Sequence, residues 1–157
     1  MTSITIGQAI PDFEIPATGD KTIHLSDYKN KLIVLYFYPK DSTPGCTLQG
    51  QAFRDASDAL TALNAVVLGV SRDSLRSHEN FKTKQCFNFD LLSDADEQLC
   101  TLFDVIKMKN MYGKEVRGIE RSTFIIDTQG VLIKEWRKVK VKNHLEEVLE
   151  FLKTQQA

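Results

Sequence analysis

One stretch of this 157-residue chain puts a cysteine where its sulfur would be prepared for chemistry. Residues 38–47 read Tyr-Pro-Lys-Asp-Ser-Thr-Pro-Gly-Cys-Thr, following a continuous β-branched and aromatic run from Leu32 to Tyr38. Thr43 is a reasonable N-cap for the helix that should follow, and Pro44 suits its first position, which places Cys46 in the first turn. Backbone N–H groups there lack intrahelical partners and carry the positive end of the helix dipole, so they favour a thiolate over a thiol. Cys46 is a candidate nucleophile from position alone. Taken singly, each residue also has a plainer reading: Cys46 as a small buried hydrophobe, Thr43 as only a cap, Pro39 as only a strand terminator.

The elements that must hold this stretch can be read from periodicity. Residues 32–38 and 65–71 are apolar runs of the kind found in strands buried on both faces. Between them Phe53, Ala56, Leu60 and Leu63 mark one face of a helix over roughly 46–63, so a right-handed parallel βαβ crossover is expected. Before this unit, 12–15 and 21–25 flank a Gly-Asp turn and predict an N-terminal hairpin. After it, Asp73 is read as the N-cap of a helix to about Cys86, and Ser93 with Asp96 as a capping box for another to about Phe103. Strands 122–127 and 131–138, joined by Thr128-Gln129-Gly130, should pair antiparallel. Leu145, Val148, Leu149 and Leu152 form the stripe of a C-terminal helix with Asn143 as N-cap and Glu146 in its first turn. No repeat or linker interrupts the chain, so residues 1–157 read as one α/β domain: a central mixed sheet flanked by helices, with an N-terminal hairpin extension.

Composition narrows the function classes. The chain is 42% hydrophobic and 26% charged, with a net charge of -1 that gives no overall pull toward nucleic acid or anionic membrane. The longest apolar run is far below the ~20 residues that cross a bilayer. Residues 1–13 show neither a basic nor an apolar signal region, and three cysteines are an odd number for structural bridges, so a reducing cytoplasm is expected. There is no C-x-x-C pair, and His24, His78 and His144 are scattered, so neither dithiol exchange nor a metal site is expected. The basic run Lys134, Arg137, Lys138, Lys140 and Lys142 around Trp136 reads as a solvated strand face rather than a nucleic-acid contact. Lys107, Met108, Lys109 and Met111 read as a loop that borders the site or a docking surface.

The spacing Pro39, Thr43, Cys46 reproduces P-x-x-x-T-x-x-C, the motif of peroxiredoxins. With Ser93 to Cys100, Met111 to Lys114, Gly118 to Asp127 and Trp136 to His144, the chain resembles the peroxiredoxin Q or bacterioferritin comigratory protein branch over nearly its whole length. That resemblance implies a thioredoxin-like fold and a thiol peroxidase that reduces hydrogen peroxide and alkyl hydroperoxides without metal, flavin or other cofactor. Cys46 would be the peroxidatic nucleophile, Thr43 would supply a hydroxyl to thiolate and peroxide, and Pro39 would limit water at the sulfur. Arg121 would favour the thiolate and hold the peroxide oxygens, with Gln49 orienting it.

The chain departs from the branch where a second thiol should return the sulfenic acid to thiol. Many members carry that cysteine five residues after the first, where this chain has Gln51; others carry it on a later helix, where this chain has Lys82. Cys86, one helical turn further, is the candidate resolving thiol, and Cys100 reads as core packing. If neither serves, an external thiol must. Thioredoxin is the expected reductant, with glutathione or glutaredoxin as the alternative, and a monomer is expected. The other function class that fits is a peroxide-sensing or holdase-type thiol switch without rapid turnover.

Overall fold

The computed structural model describes residues 3–156, so residues 1, 2 and 157 of the expected domain lie outside it. In chain order the strands are β1 (Glu14–Ala17), β2 (Lys21–His24), β3 (Leu32–Phe37), β4 (Ala65–Ser71), β5 (Asp90–Ser93), β6 (Ile106–Met111), β7 (Lys114–Ile119), β8 (Ser122–Ile126) and β9 (Leu132–Trp136). The helices are α1 (Pro44–Asp55), α2 (Ser57–Ala62), α3 (Leu75–Gln85), α4 (Gln98–Leu102) and α5 (His144–Lys153). Seven strands form one mixed sheet in the order β2-β1-β5-β4-β3-β8-β9, and β6 pairs with β7 in a separate hairpin. The fold is the expected thioredoxin-like α/β arrangement, with a central mixed sheet flanked by helices.

β3 explains why the core sits where it does. All six of its residues are buried, and alternation sends Ile33, Leu35 and Phe37 into one apolar cluster and Leu32, Val34 and Tyr36 into the other. The first cluster packs against Leu99, Cys100 and Phe103, the second against Phe53, Phe81, Val148 and Leu152. β3 runs parallel to β4, the expected crossover, and antiparallel to β8 in a register that sets Phe37 opposite Ser122. The C-terminal end of β3, which leads to Cys46, therefore meets the N-terminal end of β8, which follows Arg121.

Several expectations change in the structure. The helix expected over 46–63 starts at Pro44 and is two segments, because Ala56 (φ -92°, ψ 12°) leaves helical geometry for one residue. The apolar spacing runs through this break, so periodicity alone did not reveal it. Ser74, not Asp73, caps α3, accepting a hydrogen bond from the Ser77 N–H. No capping box forms at Ser93, whose hydroxyl donates instead to the Asp73 carbonyl oxygen. The Asp94 carboxylate accepts from the Leu99 and Cys100 N–H groups, and the helix that follows is only Gln98–Leu102. Asn143 precedes α5 in the left-handed region (φ 64°) without a side-chain cap bond. The expected N-terminal hairpin does form, and Ala17 of β1 pairs with Leu92 of β5, so that it extends the main sheet. Residues 107–111, expected as a loop, are strand β6.

Candidate active site

Thr43 has the extended backbone of an N-cap (φ -85°, ψ 155°) and Pro44 occupies the first position, so Cys46 is the third residue of α1. Its side chain is buried beside Tyr36 and Tyr38. The Thr43 hydroxyl makes no cap bond; it donates to the Lys40 carbonyl oxygen at 2.8 Å, which leaves its oxygen lone pairs free to accept. Pro39 is half-buried two residues beyond the end of β3.

Arg121 reaches this turn from the start of β8. One guanidinium nitrogen donates to Cys46 Sγ at 3.4 Å and another to Gln49 Oε1 at 2.6 Å. Gln49 is 2% exposed, so it is a buried partner of the arginine rather than a solvated helix residue. The main chain of Arg121 is held as well, its carbonyl oxygen accepting from the Val139 N–H at 2.9 Å. A charged donor held through both its guanidinium and its main chain is thus aimed at the sulfur.

Gly45 is a close-approach position beside the arginine that sequence reasoning missed. A methyl group there would come within 3.2 Å of the Arg121 guanidinium. The second residue of a helix tolerates most side chains, so only the three-dimensional approach of Arg121 reveals how little room this position leaves. Lys109 brings another cation toward the site: its ammonium donates to the Ile119 carbonyl oxygen, and burial, then the like charge of Arg121, shift its pKa below the ordinary lysine value. Burial, then the nearby Cys46, raises the Tyr36 phenol far above its usual range, so it stays neutral.

Cys86 lies just past α3 in the left-handed region (φ 56°, ψ 40°), and it is exposed rather than a buried helix-end cysteine. Its neighbours bind α1: Gln51 and Arg54 donate to the Gln85 side chain and carbonyl oxygen at 3.0 and 2.7 Å, and the Phe87 ring lies on Gly50. Cys86 thus adjoins the turns of α1 that follow Cys46, without meeting the sulfur. Cys100 is fully buried, and burial raises its thiol well above the ordinary cysteine range, an effect Asp94 reinforces.

Asp41, Asp73 and His78 bring ligand-type atoms within 4.8 Å of one another, but hydrogen bonds within the protein already use them. In the basic run, the Lys134 ammonium lies over Trp136 at 5.3 Å and Arg137 donates to the Phe103 and Asp104 carbonyl oxygens, so these cations are engaged within the fold. Among the described residues no helix is long and apolar enough to cross a membrane.

Comparison with known proteins agrees with this geometry. The AhpC/TSA family pattern matches residues 6–135. Peroxiredoxin Bcp of Bacillus subtilis is 54% identical over 151 residues, covering 96% of each chain, and that of Escherichia coli is 37% identical over 153 residues, covering 98% of each. Among solved structures, a cysteine-to-serine variant of Xylella fastidiosa peroxiredoxin Q superposes with a TM-score of 0.93 at 46% identity, covering 99% of each chain. The Xanthomonas campestris bacterioferritin comigratory protein, studied for alkyl peroxide reduction, gives 0.87 at 49% identity and covers 91% of each chain. With a buried cysteine at a helix start, an arginine held on its sulfur and this likeness over nearly the full length, the chain belongs to the AhpC/TSA family, in its Bcp or peroxiredoxin Q branch of peroxiredoxins.

Proposed function

We propose that this peroxiredoxin, a thiol peroxidase, reduces hydrogen peroxide and alkyl hydroperoxides at Cys46, with Cys86 as the resolving thiol and a thioredoxin-type dithiol protein as reductant. The observation that carries this reading is the Arg121 guanidinium shared between Cys46 Sγ and Gln49 Oε1. It holds a positive charge where a thiolate and a polarising O–O bond would share it.

In the first step a Cys46 sulfur lone pair attacks the terminal peroxide oxygen, forming S–O and breaking O–O. The other oxygen leaves as alkoxide or hydroxide and takes up a proton, giving alcohol or water. Sulfur is oxidised by two electrons to the sulfenic acid and the peroxide is reduced by two. Thr43, whose hydroxyl proton is given to Lys40, would accept the peroxide O–H, and Pro39 would cover the sulfur from water. The alkyl peroxide activity studied in the Xanthomonas campestris relative supports the inclusion of organic substrates.

In the second step the Cys86 sulfur attacks the sulfenic sulfur, S–S forms and water leaves. A disulfide needs Cα atoms about 5.5 Å apart, and a buried Cys46 with an exposed Cys86 implies that the end of α3 unwinds first. The left-handed conformation of Cys86 favours release, because it costs a non-glycine residue about 1–2 kcal/mol. Two thiols of the reductant then exchange with this disulfide and return both cysteines to thiols. With both sulfurs on one chain a monomer suffices, and three free cysteines suit a reducing cytoplasm.

Peptide mass mapping of reduced protein given one equivalent of hydrogen peroxide, with a sulfenic-acid trap present, tests the cycle. The expected product is a Cys46–Cys86 peptide. A trapped Cys46 with Cys86 still reduced would assign resolution to an external thiol, and an unreacted Cys46 would overturn the peroxidase reading.

A further inference from the structure

The loop that leads to Cys46 is anchored at a second point, away from the sulfur. Asp41 is 6% exposed, and three side chains converge on its carboxylate. The Tyr38 phenol donates to Oδ1 at 2.6 Å, the Ser77 hydroxyl donates to Oδ2 at 2.8 Å, and His78 Nδ1 lies 2.7 Å from Oδ2. The Asp41 N–H donates to Asp73 Oδ2 at 2.9 Å, an oxygen that also accepts from the Ser71 hydroxyl at 2.6 Å. The ends of β3 and β4 and the first half of α3 thus meet on one loop residue.

His78 is fully buried, with Nε2 2.8 Å from the Leu92 carbonyl oxygen of β5. A carbonyl oxygen only accepts, so Nε2 carries a hydrogen. Nδ1 and Asp41 Oδ2 are each other's partners at 2.7 Å, so every polar atom named here is engaged. Such a bridge is stiff, because parting it strands two buried polar groups away from water.

We propose that Asp41 and His78 are positioning residues for Cys46, holding the loop 39–43 against α3 so that the first turn of α1 stays aligned with Arg121. This rests on the peroxide reading of Cys46. The alignment has little slack, since a methyl at Gly45 would already lie 3.2 Å from the guanidinium. The bridge also outlasts release of Cys86. Residues 82–86 are held by part-exposed bonds such as Lys82 to Asp90 and Gln51 to Gln85, whereas His78 is held by bonds that water does not reach.

The test uses the full chain in reduced form and reads two reactions at the Cys46 peptide by mass spectrometry: oxidation by one equivalent of hydrogen peroxide with a sulfenic-acid trap, and alkylation by iodoacetamide. Both reactions use the Cys46 thiolate, but only peroxide attack also needs donors aligned on the peroxide oxygens, so the ratio of the two rates reports the alignment. His78→Leu should slow oxidation by about 10²-fold, the scale of a 1 Å misplacement, with alkylation changed by less than about threefold. His78→Asn, whose amide can donate to Asp41 Oδ2, should recover oxidation to within about tenfold of the native rate. Native-rate oxidation in folded His78→Leu would overturn the proposal, as would oxidation and alkylation changing together, which marks a merely structural role.

If His78→Leu does not fold, hydrogen exchange on the native chain decides. Residues 38–43 and 75–80 should stay protected before and after peroxide treatment, and opening of either on oxidation would overturn the proposal. A native Cys46 that does not react with peroxide removes the peroxidase reading and this inference together. Normal reaction of Cys46 with no effect of His78→Leu removes the inference alone.

Discussion

The ring of Phe87 lies directly against the backbone of Gly50, so that a methyl at residue 50 would come within 2.3 Å of the ring. This contact seats the segment after α3, which carries Cys86, onto α1 one turn beyond Cys46. Gly50→Ala tests it by setting two effects against each other. Alanine in a helix interior gains about 1 kcal/mol over glycine, whereas overpacking costs about 1–3 kcal/mol. The expected net result is a less stable protein. Forming the Cys46–Cys86 disulfide should become faster relative to sulfenic acid formation, because Phe87 is already displaced. Thermal melts together with timed peptide mapping read both, and an unchanged partition would show that the Phe87 seat does not restrain Cys86.

The Arg121 site predicts that charge alone is insufficient. Lysine is a point charge that cannot span Cys46 and Gln49 as the guanidinium does. Arg121→Lys should therefore lose most of what Arg121→Ala loses, about 10²–10³-fold in the peroxide step. Gln49→Ala, which frees the arginine without removing it, should lose about tenfold. Stopped-flow oxidation of Cys46 measures all three, and native-like rates in Arg121→Lys would mean that geometry at the guanidinium is unimportant.

Much of this architecture was legible because burial leaves a pattern. β3 and β4 are apolar throughout, α5 carries its stripe, and the turn before Cys46 has its cap and proline. β6 and β7 were not legible because their hairpin reaches the core only at one end, through Ile106 and Ile119, and is otherwise largely exposed, with Met108 60% and Tyr112 fully exposed. The available signal was local: Tyr112 and Gly113 both have positive φ (55° and 79°), the geometry of a two-residue hairpin turn. Arg121 could be suspected from motif but not placed, since its approach depends on β8 lying antiparallel to β3. The Asp41–His78 contact spans 37 residues, and no periodicity announces such a pairing.

Glu97 fastens that exposed hairpin to the body of the protein. Its carboxylate accepts from Arg117 of β7 at 2.6 Å and from Arg72 at 3.1 Å. The Arg117 hydrogen bond, followed by that of Arg72, pulls its pKa from 4.5 down to about 2. A depressed carboxylate adds stability above its unfolded value and loses it as pH falls through the folded one. Between pH 4.5 and about 2 the hairpin should detach, and Arg117→Ala should loosen it even at neutral pH. Hydrogen exchange of residues 106–119 measures this, and equal protection in Arg117→Ala would assign the hold to other contacts.

His144 gives a second pH dependence, of opposite physical origin. It is buried at the start of α5, with Nε2 2.8 Å from Thr123 Oγ1 and its ring 5.4 Å from that of Trp136. Burial lowers its pKa from 6.5 despite the hydrogen bond to Glu147. The unfolded chain then binds more protons than the folded one below pH 6.5, so stability rises with pH through the window under 6.5 and levels off above it. Melting temperatures at pH 7.5 and 5.5 should therefore differ more for the native chain than for His144→Gln, which keeps a donor toward Thr123 but does not titrate. Trp136 is the single tryptophan, so its emission reports the same event. An equal pH response in His144→Gln would place the titration on another group.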